Sequence, residues 1–517
     1  MPALSVSRRT FLQASAAAVG FTRLSQAAAA ASGFTRLPYL QRLLADSVSI
    51  LWTTPQPVAG SVVVSAPDGT QSVFPATMSV FQPSTTQLSS AYYQYQADVT
   101  GLQAATGYQY QVMLDGQVAA NDPVLNGFST PTPGDMSFLV FGDSGADSPE
   151  QLSLITRMAA ETGIAKVMHV GDLAYEYGTF AQLEANYFAL YAPLMSRLSF
   201  FATPGNHDYI TANAAAFLAG HAAPAGNVPA ADLGRYYSYD WGDVHFASID
   251  SNLLPTDAAS RMLNWLDADL AATGKYWKIV FLHHPPYPTG THLGDPICVS
   301  VQQNVNPIVE RHGVQLVLSG HEHGYERSFP LVANQAVDAG IASTMYVITA
   351  GGGQTLETVG SLPQCALSVQ AFNYLRVDLR GHGLIFTSIG LDGNALDAVT
   401  LNPPPVIAPD GVVNAADFTT HIVADSVVTV FGWNFAVRPE VPPASAPSGS
   451  IQLGDITVYA EGKLARLLYV SPTQLNLMLP SGIAGRVRLQ VVTPNGSATA
   501  VITVTAATIR RALPTSK

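Results

Sequence analysis

Six apolar runs stop abruptly in polar residues: MSFLVFGDSG, KVMHVGDLAY, SFFATPGNHD, VHFASIDSN, WKIVFLHHPPY and VQLVLSGHEHGYER, all between residues 136 and 327. Helical patterns lie between several of them, among them SPEQLSLITRMAAETG and DAASRMLNWLDADLAA. Buried strands that alternate with helices fold as α/β layers, and the polar residues that end each strand then gather at the carboxyl edge of the sheet. This pattern constrains the middle of the chain more than any other feature.

The flanks differ. The chain has 517 residues, too many for one hydrophobic core, so two to four domains are expected. From 33 to 132, short alternating segments such as SVSILWTT, GSVVVSA and YQYQVMLDG are separated by Gly, Pro and Asp turns, which suggests an antiparallel β-sandwich. The α/β segment occupies 136–398. After the proline-rich break LNPPPVIAPDG, residues 408–512 return to short strands, with the hairpin signal PNG at 494–496.

Charge and cysteine usage remove some functions. The net charge is −12 and no basic cluster stands out, so nothing favours a nucleic-acid backbone. The two cysteines, Cys298 and Cys365, form no CxxC pair, which excludes a cysteine-based zinc site. At the N-terminus, SRRTFLQ precedes a mild Ala/Gly-rich stretch, the pattern of a twin-arginine export signal over residues 1–31. No apolar run reaches membrane-spanning length. Export through the twin-arginine machinery carries a folded protein to the periplasm or beyond. That oxidising destination would permit a Cys298–Cys365 disulfide.

The strand ends of the middle segment concentrate metal-binding residue types: Asp143, Asp172, Tyr175, Asn206, His207, His283, His284, His292, His321 and His323. A single histidine at a strand end is usually a hydrogen-bonded surface or core residue. Five clusters in one domain carry more weight. Carboxylate, imidazole and amide oxygen suit hard or borderline ions such as iron, zinc or manganese, and one carboxylate can bridge two of them. In extended backbone the two imidazoles of GHEH would point to the same side and serve one ion each. Asp208 and Glu322 are candidates for fixing imidazole tautomers from behind, and Arg327 for pairing with a carboxylate near the site. The triple glycine 351–353 suits close backbone packing beneath the site. Tyr177 reads as a packing residue.

In order, GDSG, GDLAY, GNHD, VFLH and GHEH resemble the five motifs of the metallophosphoesterases in the form used by purple acid phosphatases. Residues 33–132 resemble the fibronectin-III-like domain that precedes that core in the larger members, and LYVSPTQLNLMLP resembles IPT/TIG immunoglobulin-like modules. The resemblance implies a central α/β metallophosphoesterase, two mixed sheets flanked by helices, between two all-β sandwich domains.

It further implies that Asp143, Asp172, Tyr175 and His323 bind a ferric ion. Asp172 would bridge to a divalent ion (iron, zinc or manganese) held also by Asn206, His283 and His321. His207 is then expected to steady the phosphate. His292 is expected to protonate the leaving group, with His284 as a substitute. The implied reaction is hydrolysis of phosphate monoesters at acidic pH by a metal-bound hydroxide. A phosphodiesterase or nucleotide-cleaving enzyme of the same superfamily is the alternative, and a non-catalytic exported binding protein a more distant one. The C-terminal module is expected to bind a surface or polysaccharide, if it binds anything.

Overall fold

The computed structural model describes residues 33–119, 126–338, 340–446 and 448–506. The export signal read at residues 1–31 lies outside them. Among the described residues, no helix is long and apolar enough to cross a membrane.

The apolar runs form two facing mixed sheets. One has the order Phe200–Ala202, Ile164–His169, Met136–Phe141, Asn373–Arg380, Gly383–Gly390, Ala395–Leu401. Its first three strands are parallel and the rest antiparallel. The other runs Tyr237–Trp241, Val244–Ser248, Trp277–Phe281, Leu316–Ser319, Met345–Thr349, Tyr325–Ser328, Cys365–Val369. Its central strands are parallel and buried along their whole length, as strands covered on both faces must be.

Aromatic residues join the two sheets. Phe138 meets Phe246 edge-on at 5.5 Å between ring centres, and Phe201 stacks on Tyr239 at 4.0 Å. Lys166 lies buried among them, donating to the Tyr239 hydroxyl at 2.8 Å with its amine 3.0 Å from the Phe246 ring centre. Burial holds that amine well below the usual lysine range. Helices cover the outer faces. Pro149–Ala160 starts on a Ser148 cap that accepts from Gln151 N–H, and it buries Leu154, Ile155 and Met158.

The flanking domains are two-sheet β structures, and both are docked. In the N-terminal domain the sheet Arg36–Gln41, Ser47–Thr54, Tyr92–Thr100, Thr77–Phe81 faces one built on Gly60–Ser65 and Gly107–Leu114. Arg36 reaches into the central domain, bonding Glu184 and lying 3.8 Å from the Phe188 ring centre. The C-terminal domain pairs Val406–Asn414, Val427–Trp433, Gln474–Met478 and Arg466–Val470 in one sheet, with Gly485–Thr493 and Gly496–Thr505 in the other. Arg438 grips the buried Asp243 carboxylate with two nitrogens, while Asn434 accepts from the Gln315 amide at 3.0 Å. Asp243 and Gln315 stand at the amino ends of strands in the seven-stranded sheet, so this domain braces the pole opposite the strand ends of interest.

One ion cluster around a buried histidine ties helix to sheet. His245 donates from both ring nitrogens, to Asp240 at 2.8 Å and to Asp269 on helix Ala259–Ala272 at 2.8 Å. Burial opposes the imidazolium, but the two carboxylates together outweigh it and raise His245 from 6.5 to about 9. The folded value lies above the unfolded one, so this contribution is fully present below pH 6.5 and is lost as pH rises through 9. We therefore expect the thermal midpoint to fall as pH is raised from neutral to above 9, losing about 2 kcal/mol. A His245→Phe variant, less stable at neutral pH, should lose this slope. An unchanged slope in thermal melts of the variant would overturn the assignment.

Candidate metal centre

Five candidate ligands follow strand ends directly: Asp143 after Met136–Phe141, Asp172 after Ile164–His169, Asn206 after Phe200–Ala202, His283 after Trp277–Phe281 and His321 after Leu316–Ser319. Asp143, Asp172 and His321 take left-handed backbone, with φ of 58°, 55° and 74°. Non-glycine residues seldom adopt it, and three such turns at one edge mark strain retained for a purpose. The segment GHEH is therefore not extended as expected. The left-handed turn at His321, rather than strand alternation, brings the two imidazoles to the site, one through Nδ1 and the other through Nε2.

The glycines before Asn206 and His321 leave room for a ligand from another loop. A Cβ on Gly205 would lie 2.0 Å from Asp172 Oδ1, and one on Gly320 would lie 2.5 Å from Asp143 Oδ2. No side chain fits at either position.

Two groups of donors result, joined by Asp172. In the first, the Tyr175 hydroxyl lies 2.9 Å from Asp172 Oδ2, 3.2 Å from Asp143 Oδ1 and 3.1 Å from His323 Nε2. In the second, Asn206 Oδ1 lies 2.9 Å from His283 Nε2 and 3.0 Å from His321 Nδ1, while His283 Nε2 is 3.5 Å from Asp172 Oδ2. Asp143, Asp172 and His283 are fully buried and close enough for one cation to touch all three.

The donor set fits cations. His283 Nδ1 donates to the Val170 carbonyl at 2.9 Å and His323 Nδ1 to the Thr355 carbonyl at 2.8 Å. Each fixes the tautomer that turns a bare Nε2 lone pair inward. At His283 that lone pair meets an amide oxygen and a carboxylate, so acceptor faces acceptor. Burial drives Asp143 well above the usual carboxylate range, and Asp172 beside it adds to the rise. Tyr175 is pushed up by burial and then by Asp143 and Asp172. With no other positive charge, His283 is raised to about 9: burial disfavours its proton, but Asp172 and Asp143 outweigh it. A metal ion supplies the charge that this arrangement otherwise takes from a proton.

The remaining predicted residues fall into two sets. His207 and His292 stand at the opening, with side chains about a quarter exposed (26% and 25%). His207 Nδ1 donates to the Glu176 carbonyl at 2.7 Å and its ring packs on Tyr175; the His292 ring lies 3.8 Å from that of His321. His284 is different. It is buried, bonded through Nδ1 to the Ser251 hydroxyl at 2.8 Å, and burial holds it well below the usual histidine range. It is a neutral packing group behind His321, not a substitute proton donor.

Asp208 and Glu322 do not touch imidazoles. Asp208 accepts from Leu173 N–H and Gly205 N–H, tying the GDLAY and GNHD loops together; Glu322 accepts from Thr291 N–H and His292 N–H. Arg327 pairs with Asp397 at 2.6 Å, linking the seven-stranded sheet to the outer strand of the other rather than serving the site. Cys298 and Cys365 are free thiols, one within helix Pro296–Ser300 and the other on edge strand Cys365–Val369, so the expected disulfide is not formed. Tyr177 does not pack: its side chain is 58% exposed.

Two residues escaped the sequence reading. Glu357 accepts from His323 N–H at 3.1 Å and from His292 Nε2 at 3.2 Å, joining the two. His169, neutral and buried, bonds Ser144 at 2.9 Å and accepts from Gly171 N–H beneath the loops. Neither is one of the motif positions: Glu357 is revealed by the approach of its loop, and His169 by its place at the end of a strand. The triple glycine does pack beneath the site, with Gly352 N–H donating to the Gly142 carbonyl at 3.0 Å.

Because Gly205 leaves space that Asp172 fills, Gly205→Ala should displace the shared carboxylate without unfolding the sheet. Metal affinity is expected to drop about tenfold or more, read by metal analysis after dialysis, with circular dichroism unchanged. Full metal retention would show that Asp172 does not hold it.

Comparison with known proteins agrees with this geometry. Residues 136–325 match the calcineurin-like phosphoesterase family, 39–130 the purple acid phosphatase N-terminal domain and 417–506 the IPT/TIG domain. Human acid phosphatase type 7 is 26% identical over 275 residues, 46% of this chain and 60% of the relative. Acid phosphatase A of Cryphonectria parasitica is 25% identical over 427 residues, 63% of this chain and 82% of the relative. The chain thus spans 60% of the length of the human relative that it matches. A purple acid phosphatase from yellow lupin seeds shares the fold, with a TM-score of 0.64, 18% identity and coverage of 71% of this chain and 74% of its own. Residues 136–325 thus form a calcineurin-like phosphoesterase domain, preceded by a purple acid phosphatase N-terminal domain and followed by an IPT/TIG domain.

Proposed function

We propose that the chain is an exported acid phosphatase that hydrolyses phosphate monoesters at a binuclear metal centre. The observation that carries this reading is the Asp172 carboxylate, whose Oδ2 lies 2.9 Å from the Tyr175 hydroxyl, beside Asp143 and His323, and 3.5 Å from His283 Nε2, beside Asn206 and His321. Phenolate and carboxylates are hard anionic donors that favour a ferric ion, and the amide-imidazole set suits a divalent one. Such a pair, when bound, supplies the charge that holds the phosphoryl oxygens and makes a nucleophile available below neutral pH.

The chain's own residues do the rest. Asp172 fixes the separation of the two positions, and the Val170 and Thr355 carbonyls orient the imidazoles. His207, with Nδ1 committed to the Glu176 carbonyl, keeps Nε2 for the phosphoryl group. His292 is the proton donor to the leaving alkoxide. Burial works against its imidazolium, but Glu357 outweighs burial and keeps the proton in place. The paired arginines near the N-terminus and the Ala/Gly-rich stretch after them support export by the twin-arginine route.

The purified protein should hydrolyse para-nitrophenyl phosphate fastest in the acidic range and cleave bis(para-nitrophenyl) phosphate more slowly. Asp172→Asn is expected to cost at least about a hundredfold in kcat/KM. Tyr175→Phe should abolish the visible absorption band of the oxidised, iron-loaded protein. Faster turnover of the diester would favour a phosphodiesterase, and a colourless iron-loaded wild type would remove Tyr175 from the ligand set.

A further inference from the structure

The six loops that surround the centre, residues 142–149, 171–179, 205–214, 283–296, 320–324 and 351–360, contain no lysine and no arginine. They do contain carboxylates beyond the candidate ligands. Asp147 is exposed and the Glu176 side chain is 61% exposed, while Asp295 and Glu357 are partly so. The one guanidinium that bonds into these loops, among the described residues, is that of Arg235, and it is already held by the Tyr209 hydroxyl and the buried Asp250. Arg327 is spent on Asp397.

A phosphoryl group at the centre would therefore find its positive charge in the metal ions and the two flanking histidines alone. Any further anion carried by the alcohol half of the substrate would face Glu176, Glu357 and Asp295 with no cation to receive it. Enzymes that take polyanionic esters hold the outlying phosphates with arginine or lysine, for which these loops have no equivalent.

The same loops expose apolar side chains. Tyr177 follows Tyr175 by two residues, Ile210 ends the short helix that Asn206 begins, and Leu293 follows His292. They are 58%, 56% and 58% exposed. Tyr177 and Ile210 lie on touching loops, since the Thr211 hydroxyl donates to the Tyr177 carbonyl at 2.5 Å. Scattered exposed apolar residues are ordinary on a protein surface. These three, however, stand beside site-facing residues on loops that offer a leaving group no lysine or arginine.

Resting on the phosphatase reading above, we propose that the site selects monoesters of uncharged, apolar alcohols, aryl or alkyl, and rejects esters whose alcohol half carries further phosphates. Tyr177, Ile210 and Leu293 contact the leaving group, and the carboxylate rim repels additional negative charge.

The test compares butyl phosphate with butanediol bisphosphate, which share a primary alkoxide leaving group and differ in the distal charge. Methyl and hexyl phosphate extend the series to bare and longer apolar chains. In kcat/KM, butyl phosphate should exceed the bisphosphate by about tenfold, and added salt should narrow the gap by screening. Glu176→Lys, which reverses the charge of an exposed side chain on the rim, should raise the bisphosphate-to-methyl ratio of kcat/KM. Tyr177→Ser combined with Ile210→Ser should reduce the hexyl-to-methyl ratio severalfold. Equal or faster hydrolysis of the bisphosphate, or a hexyl-to-methyl ratio untouched in the double variant, would overturn the proposal while leaving a working phosphatase. Failure to hydrolyse any of the four esters would instead overturn the phosphatase reading itself.

Discussion

The structure depends on a conflict that protein groups alone resolve poorly. Asp172 is buried with the Asp143 carboxylate, the Tyr175 hydroxyl and two imidazole lone pairs that their own backbone bonds turn inward. At an effective dielectric of about 20, two like charges about 5 Å apart repel by about 3 kcal/mol. A purely structural interior would have replaced such groups with apolar ones, since even a paired buried charge rarely adds stability. Cations turn the repulsion into attraction, so the cluster makes physical sense as a binding site and poor sense as a core.

Much of the surrounding geometry follows from bringing these groups within bonding range. The donors come from loops at the ends of both sheets, so the loops must approach backbone to backbone. That approach accounts for Gly205 and Gly320, whose Cα atoms leave no room for a side chain beside Asp172 and Asp143. It also accounts for the left-handed turns at Asp143, Asp172 and His321, which direct each side chain back over its strand end. Asp208, Glu322 and Glu357 hold the loops in place by accepting backbone N–H groups, leaving the imidazoles of His207, His283 and His323 to be oriented by carbonyls. Carboxylates that tied down those three imidazoles would have added negative charge where it is already in excess.

The fold was legible in the sequence because its signals are local. Apolar runs that end in GD, GN or GH mark both the parallel strands and the donors, and alternation marks the β domains. The site was legible where ligand and strand end coincide. What stayed hidden depends on contacts between distant segments. Nothing near Glu357 announces that it meets His292 and His323, residues brought together only when two loops converge. The roles expected of Asp208 and Glu322 failed for a related reason: adjacency to a ligand in sequence says little about which way a carboxylate points after a left-handed turn. His284 shows the same limit, since one residue beyond His283 the side chain faces Ser251 and the interior. The exposure of Tyr177 was equally invisible, because an aromatic residue near a strand end packs or protrudes according to what the neighbouring loop leaves uncovered.

The placement of the two β domains bears on which parts of the molecule can meet substrate. The C-terminal domain grips Asp243 and Gln315, at the amino ends of strands whose carboxyl ends carry the donors. Strands of four or five residues separate the two poles, about 15 Å at about 3.3 Å per residue. Its docking residues therefore stand a full sheet length from the centre, and Arg438 is committed to Asp243. The N-terminal domain likewise uses Arg36 to hold Glu184. Arginines at both domain junctions are thus engaged in holding domains together, while the six loops at the centre carry no arginine or lysine. In the proposed reaction, positive charge at that edge comes from bound metal and histidine, so the hold proposed on a phosphoryl group depends on metal occupancy.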